Sequence, residues 1–311
     1  MKVFVTGASG HVGSAVVPEL LQAGHQVIGL ARSDTSAAKL EAQGATVQRG
    51  NLDDLDTLRK AAAEADAVIH LAFKHEEMFA GDYAGASTAD LAVVRTFIDE
   101  LSGTGKALIG TGGTLSYSGL GHTATEDERV PDDHSRGTAR NLIIDAPDLR
   151  GAVVVLPPTV HSELDTAGFI PLLVKTARTT GVSGYPGDGT NRWSATHTLD
   201  AARLYRLAVE KAPAGSVLHA VAEEAVTLRE IAGVVPSRVV PQLLSRPRGE
   251  VKSHAFRDLT SPLGCDQLLA RLGTGPHRPN RTTHATASRR KQQACHQPAH
   301  GAGRSLIRLA G

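Results

Sequence analysis

At 311 residues, 41% hydrophobic and 21% charged, the chain can bury one large core or a core plus a lobe, a composition ordinary for a globular protein and for which disorder is not the default. Two cysteines, Cys265 and Cys295, exclude a disulfide framework and fit a reducing compartment. With no run near the ~20 apolar residues of a bilayer span and no signal-peptide pattern, the chain reads as cytoplasmic, with no membrane partner.

The formal net charge of +1 hides a basic end: residues 277–311 hold seven Lys/Arg and no acid, leaving the first 276 at −6. A body of that sign offers no nucleic-acid footprint, and the short run Ser288-Arg289-Arg290-Lys291 reads as solvated.

In chain order, KVFVT reads as a short apolar strand, followed by a glycine turn and an amphipathic helix from about Val12 to Ala23, stopped by Gly24. A second strand runs from Gln26 to Ala31. The alternation continues with a helix near Ser36 to Gln43, a strand at ATVQR, a helix across DLDTLRKAAAEA and a strand at AVIHLA. Then come a helix over TADLAVVRTFIDEL, a strand at ALIGT, a helix opening with Arg136 and a strand at AVVVL. Strands alternating with helices imply right-handed crossovers and a parallel sheet covered on both faces, so the fold class is doubly wound α/β.

The strongest motif is Thr6-Gly7-Ala8-Ser9-Gly10-His11-Val12-Gly13, which follows a strand and opens a helix. Gly7 permits a tight turn, Gly10 lets backbone approach a pyrophosphate and Gly13 lets helix pack on strand. The helix N-terminus adds open amides and a positive dipole end. Ser9, His11 and Val12 complete the candidate phosphate loop.

With VTGASGHVG in this setting, the chain resembles the short-chain dehydrogenase/reductase superfamily, in its extended and atypical branch of NAD(P)-dependent epimerases, dehydratases and reductases. GNLDD at 50–54 resembles that branch's adenine loop, with Asn51 where the family usually has Asp and Leu52 beside it. AVIHLA at 67–72 resembles the strand whose end, Leu71 and Ala72, lies along the cofactor. YPGDGTNRWSATHTLDAARLYRLAVE at 185–210 resembles the segment that borders the substrate pocket, and DQLLARLG at 266–273 is a fainter echo. The resemblance covers residues 1–232. It implies a Rossmann-type domain over 1–160, a substrate lobe over 161–275 with about 190–212 returning to the first domain, a small-molecule carbonyl or hydroxyl substrate, and a homodimer through a four-helix bundle.

At the end of the second strand a carboxylate favours NAD and an arginine a 2′-phosphate. Ala31 and Arg32 stand there, which favours NADP; Asp34 is near enough to leave NAD open. Thr111 at the fifth strand, and Pro157 and Thr159 after the sixth, complete the expected cofactor contacts by resemblance.

Catalytic members of the superfamily carry a Tyr and a Lys four residues apart on the helix that here opens SRGTAR, which places Arg136 and Arg140 at those positions. No Tyr-x-x-x-Lys occurs in the chain. A guanidinium stays protonated at any working pH, so Arg136 is no general base. One reading keeps an enzyme: Thr114 matches the family's Ser/Thr position in TGGTLSY, Tyr117 is the nearest phenol, and the arginines hold an anionic substrate or a developing alkoxide. The other is a non-catalytic NADP(H)-binding sensor or scaffold with both arginines solvated.

His161, Arg192 and Trp193 are the candidate substrate contacts, Trp193 serving equally as a core aromatic. Cys295, His296 and His300 have ligand chemistry but no finger spacing, so no metal site is expected. After Ala232, Pro236, Pro241 and Pro247 interrupt the period, and residues 276–311 read as a disordered tail. A shift of reading frame from about Val234 would produce the same patchy composition.

Overall fold

The apolar runs KVFVT, AVIH, ALIG and AVVVL make central strands because helices bury them on both faces. The chain begins β1 (Lys2–Thr6), α1 (Gly13–Gln22), β2 (Gln26–Ala31), α2 (Asp34–Ala42), β3 (Thr46–Arg49), α3 (Leu55–Glu64) and β4 (Ala67–His70). It continues with α4 (His75–Phe79), α5 (Tyr83–Leu101), β5 (Ala107–Gly113), a 3₁₀ turn (Thr114–Tyr117), α6 (Ser135–Asp145) and β6 (Arg150–Leu156). The rest comprises β7 (Thr159–His161), α7 (Phe169–Thr180), β8 (Val182–Pro186), β9 (Arg192–His197), α8 (Thr198–Lys211), β10 (Ser216–His219), β11 (Glu223–Thr227), α9 (Leu228–Val234) and β12 (Gln242–Arg246). This computed structural model describes residues 1–118, 120–131, 135–235 and 242–246, all within a unit spanning Met1–Gly273.

β10-β6-β5-β4-β1-β2-β3 form one parallel sheet, as the alternation requires. Its two faces carry separate cores. Val16 and Leu20 of α1 pack with Tyr205 and Val209 of α8 on one face, and Leu58, Phe97 and Ile143 of α3, α5 and α6 on the other. The segment returning from the lobe runs past 212: β10 pairs with β6, His219 beside Val155. α5 begins at Tyr83, five residues before the expected start, because Asp82 accepts a hydrogen bond from the Gly85 amide and caps it.

The smaller lobe holds a sheet ordered β11-β9-β7 and a parallel pair of β12 with β8. A capping box of Thr227 and Glu230 starts α9. The expected disordered tail, the Cys295/His296/His300 cluster and nearly all of the stretch that a frame shift would alter lie outside the described residues.

Candidate functional site

Strand order reverses between β1 and β4, and ligands of open α/β sheets bind beyond the strand ends at such a point. A buried chain of polar groups fixes this point: Thr6 Oγ1 lies 2.7 Å from His70 Nδ1, and His70 Nε2 lies 3.1 Å from Asp90 Oδ1. The imidazole favours the ionised carboxylate, so the Asp90 pKa stays below its ordinary value despite burial. Sequence reading passed over Asp90 and over His70, which lies inside AVIHLA, since both only interrupt apolar runs.

The glycine loop stands beside it. Gly7 has φ +67, and a Cβ there would come 2.8 Å from the Ala72 amide nitrogen, so the turn requires glycine. Gly10 is exposed, Ser9 half-buried, and the amides of His11, Val12 and Gly13 have no acceptor among the described residues. α1 carries neither a side-chain cap nor an acid in its first turn, which leaves those donors free for an anion. The His11 ring turns to the lobe instead, with Nε2 2.9 Å from Thr198 Oγ1 and Nδ1 3.6 Å from Asp165.

The other residues expected to meet the cofactor are distributed along the sheet. Ala31 is buried, and Arg32 is exposed, its guanidinium 2.8 Å from Glu76 on α4. Arg49, which the sequence did not single out, stands behind it, bonded to the Ser33 carbonyl and to Asp34. Asn51 Oδ1 is taken by the Asp53 amide, and Leu52 packs against the second core. Leu71 packs on the first core, while Thr111 Oγ1 donates to the His70 carbonyl and lies 2.8 Å from the Tyr205 hydroxyl. Pro157 is buried, and the buried Thr159 hydroxyl has no partner, an orphan that a ligand at the β6 end would satisfy. Open amides and an orphaned hydroxyl along one sheet end fit a dinucleotide.

Arg136 and Arg140 are not the solvated pair that the sensor reading assumes. Arg140 is 4% exposed: its Nη2 donates to the Tyr117 hydroxyl at 2.7 Å and to the Glu128 carbonyl at 3.1 Å. Burial lowers its pKa, while the phenol opposes the shift. Arg136 is half-buried 4.1 Å over the Phe73 ring, a cation–π contact worth about 1 kcal/mol, with no hydrogen bond or ion pair among the described residues. One helical turn therefore separates an engaged guanidinium from a free one, because Phe73 and Tyr117 reach α6 from different elements.

Tyr117, 7% exposed, also lies 3.3 Å from His219 Nε2, a residue the sequence did not single out. Burial raises the phenol pKa, and Arg140 offsets part of the rise. Thr114 is half-buried at the start of the 3₁₀ turn, its hydroxyl without a partner among the described residues.

The three substrate candidates do not converge. Trp193 is 7% exposed and packs against Phe169 as a core aromatic of the lobe, the two rings tilted at 45° with centroids 5.6 Å apart. Arg192, next to it on β9, is exposed and donates to the Ala225 carbonyl at 2.9 Å. His161 sits edge-on to His197 and 3.7 Å from Glu223. Among the described residues there is no cluster of three metal-ligating side chains, and no helix long and apolar enough to cross a membrane.

The model of the NAD dependent epimerase/dehydratase family matches residues 3–129. An uncharacterized protein of Schizosaccharomyces pombe is 41% identical over 92% of this chain and 96% of its own length. The chain belongs to that epimerase/dehydratase family. A second relative, the 2-alkyl-3-oxoalkanoate reductase of Stenotrophomonas maltophilia, is 28% identical over 70% of this chain and 67% of its own. Among solved structures, DesIV, a dTDP-glucose 4,6-dehydratase of Streptomyces venezuelae with NAD and TYD bound, superposes with TM-score 0.65 at 19% identity, covering 79% of this chain and 84% of that one. That likeness shows the fold: the family's parallel sheet and its helix layers are those described above. Family membership accounts for the glycine loop and for NAD(P)-type oxidoreductase chemistry as a class.

Proposed function

We propose that this chain is an NADP-dependent reductase of a small carbonyl compound, in which a tyrosine from the 3₁₀ turn replaces the one missing from α6. The observation that carries the reading is the 2.7 Å bond from Arg140 to the Tyr117 hydroxyl. In the family a Lys at the Arg140 position lowers the pKa of a Tyr on the same helix; here the cation is kept and the phenol comes from another element. Because Arg140 donates, the phenol oxygen accepts and its own proton stays available. Burial keeps that phenol protonated at neutral pH, so Tyr117 is suited to give a proton to a substrate oxygen.

The amides of residues 11–13 hold the pyrophosphate, and Arg32, with Arg49 behind it, meets the 2′-phosphate. Asn51 and Leu52 flank the adenine. Leu71, Ala72, Thr111, Pro157 and Thr159 line the nicotinamide side. When bound, the nicotinamide supplies the hydride. The free Arg136 guanidinium and the Thr114 hydroxyl hold the substrate oxygen, Arg136 stabilising negative charge as it develops. Arg136 also favours a substrate that carries an anionic group. Oxidation of NADPH over a panel of carbonyl compounds tests this reading. Tight NADPH binding with no turnover of any of them would leave a sensor in its place.

A further inference from the structure

Tyr117 is buried, and a buried acid that gives up its proton must regain one from solvent. Two residues connect it outward. His219 stands at the C-terminal end of β10, the sheet end where the cofactor site lies, with Nε2 3.3 Å from the phenol oxygen. Its Nδ1 lies 3.9 Å from Glu126 Oε1. Exposure rises along the row, from 7% for Tyr117 to side-chain values of 12% for His219 and 48% for Glu126.

We propose that His219 relays protons to Tyr117, and that Glu126 sets the imidazole's orientation at the solvent end. This rests on the reading of Tyr117 as the proton donor. The steps balance without any further reactant. When bound, the nicotinamide cofactor would supply a hydride to the carbonyl carbon, while the Tyr117 O–H bond breaks and its proton goes to the substrate oxygen. The Nε2–H bond of protonated His219 then breaks and restores the phenol. Water returns a proton to the neutral imidazole.

Glu126, 3.9 Å from Nδ1, favours the tautomer that carries its proton there, which in the neutral ring leaves Nε2 as an acceptor facing the phenol. Once His219 is protonated, Nε2–H and Arg140 both donate to the phenol oxygen, and the hydroxyl proton is released toward the cleft. The charged and titratable groups facing His219 are Tyr117 from the 3₁₀ turn, Glu126 and Glu128 from the loop before α6, and Arg140 from α6. Burial and Arg140 hold the imidazole pKa down while the two glutamates oppose them, so protonation comes below its ordinary value.

His219 acts through Tyr117 and is a positioning residue, so its test needs more than a loss of rate. In the full chain, Tyr117→Phe should cost on the order of 10²-fold in kcat and His219→Gln about tenfold. The parent's kcat should rise as pH falls through the His219 titration, and the Gln variant should be flat there. Imidazole in the buffer should restore His219→Ala toward the parent. Independently of turnover, ¹³Cζ-tyrosine NMR of the four tyrosines should show the Tyr117 signal, assigned by its loss in Tyr117→Phe, moving with pH in the parent and not in His219→Gln. Full activity of Tyr117→Phe would remove the donor reading itself. An impaired Tyr117→Phe beside an unimpaired His219→Gln, or a Tyr117 signal that ignores the His219 titration, would overturn the relay alone.

Discussion

A Cβ on Gly13 would collide with the carbonyl oxygen of Gly7 and stand 2.7 Å from that of Ala8. The first turn of α1 thus lies directly on the turn that leaves β1, and both contacts are backbone, so neither can yield. Gly13→Ala is expected to destabilise the fold by about 3 kcal/mol and to abolish dinucleotide binding. Urea unfolding with intrinsic fluorescence, alongside cofactor titration, checks both.

Gly10 behaves differently. A Cβ there meets only the Gly7 carbonyl, at 3.2 Å, and otherwise points outward from an exposed loop. Gly10→Val should therefore melt close to the parent while losing most of its affinity for NADP(H), since the side chain stands where the phosphates would approach. Unchanged affinity by titration would move the pyrophosphate elsewhere.

Arg32 separates the two cofactors. Its exposed pair with Glu76 is easily exchanged for a phosphate, and Asp34 is already engaged by Arg49. Arg32→Ala should weaken NADP about tenfold or more and leave NAD nearly unchanged, as read by calorimetry. Equal losses for both would reduce Arg32 to a surface charge.

Thr114 and Tyr117 are expected to fail together. Thr114→Val removes an oxygen ligand of the substrate and raises KM. Tyr117→Phe removes the donor and lowers kcat, and it also costs about 1–3 kcal/mol of stability, because buried Arg140 loses an acceptor. The double variant should show no turnover with NADPH binding intact. Full activity there refutes both assignments.

His11 gives the fold a pH dependence. Burial holds its pKa below the ordinary ~6.5 while Asp165 opposes the shift, so the folded chain keeps the ring neutral where the unfolded chain protonates it. Below ~6.5 the unfolded state therefore binds more protons, so this contribution is complete above that pH and is lost as pH falls through the lower folded value. Tm measured from pH 7 to 5 should fall less steeply for His11→Gln, which keeps a partner for Thr198. Parallel slopes would show that His11 carries none of it.

The sequence alone determined the layer architecture and the phosphate loop. Both depend on short-range information: apolar period sets strand or helix, and Gly7, Gly10 and Gly13 state where backbone must come close. The family followed from the same residues. What tertiary structure decided lies in long-range pairings. Period tells which face of an element is buried but not what it meets, so nothing in SRGTAR announced that Arg140 would be sealed against Tyr117, 23 residues away, while Arg136 rests on Phe73. Trp193, readable as pocket or core, became core because Phe169 reached it from α7. Asp90 and His219 carry no motif, and His70 sits unremarked inside AVIHLA. Each acquired its partner only when strands and helices distant in sequence closed on one end of the sheet, where burial makes an unpaired polar group costly and so forces the pairing.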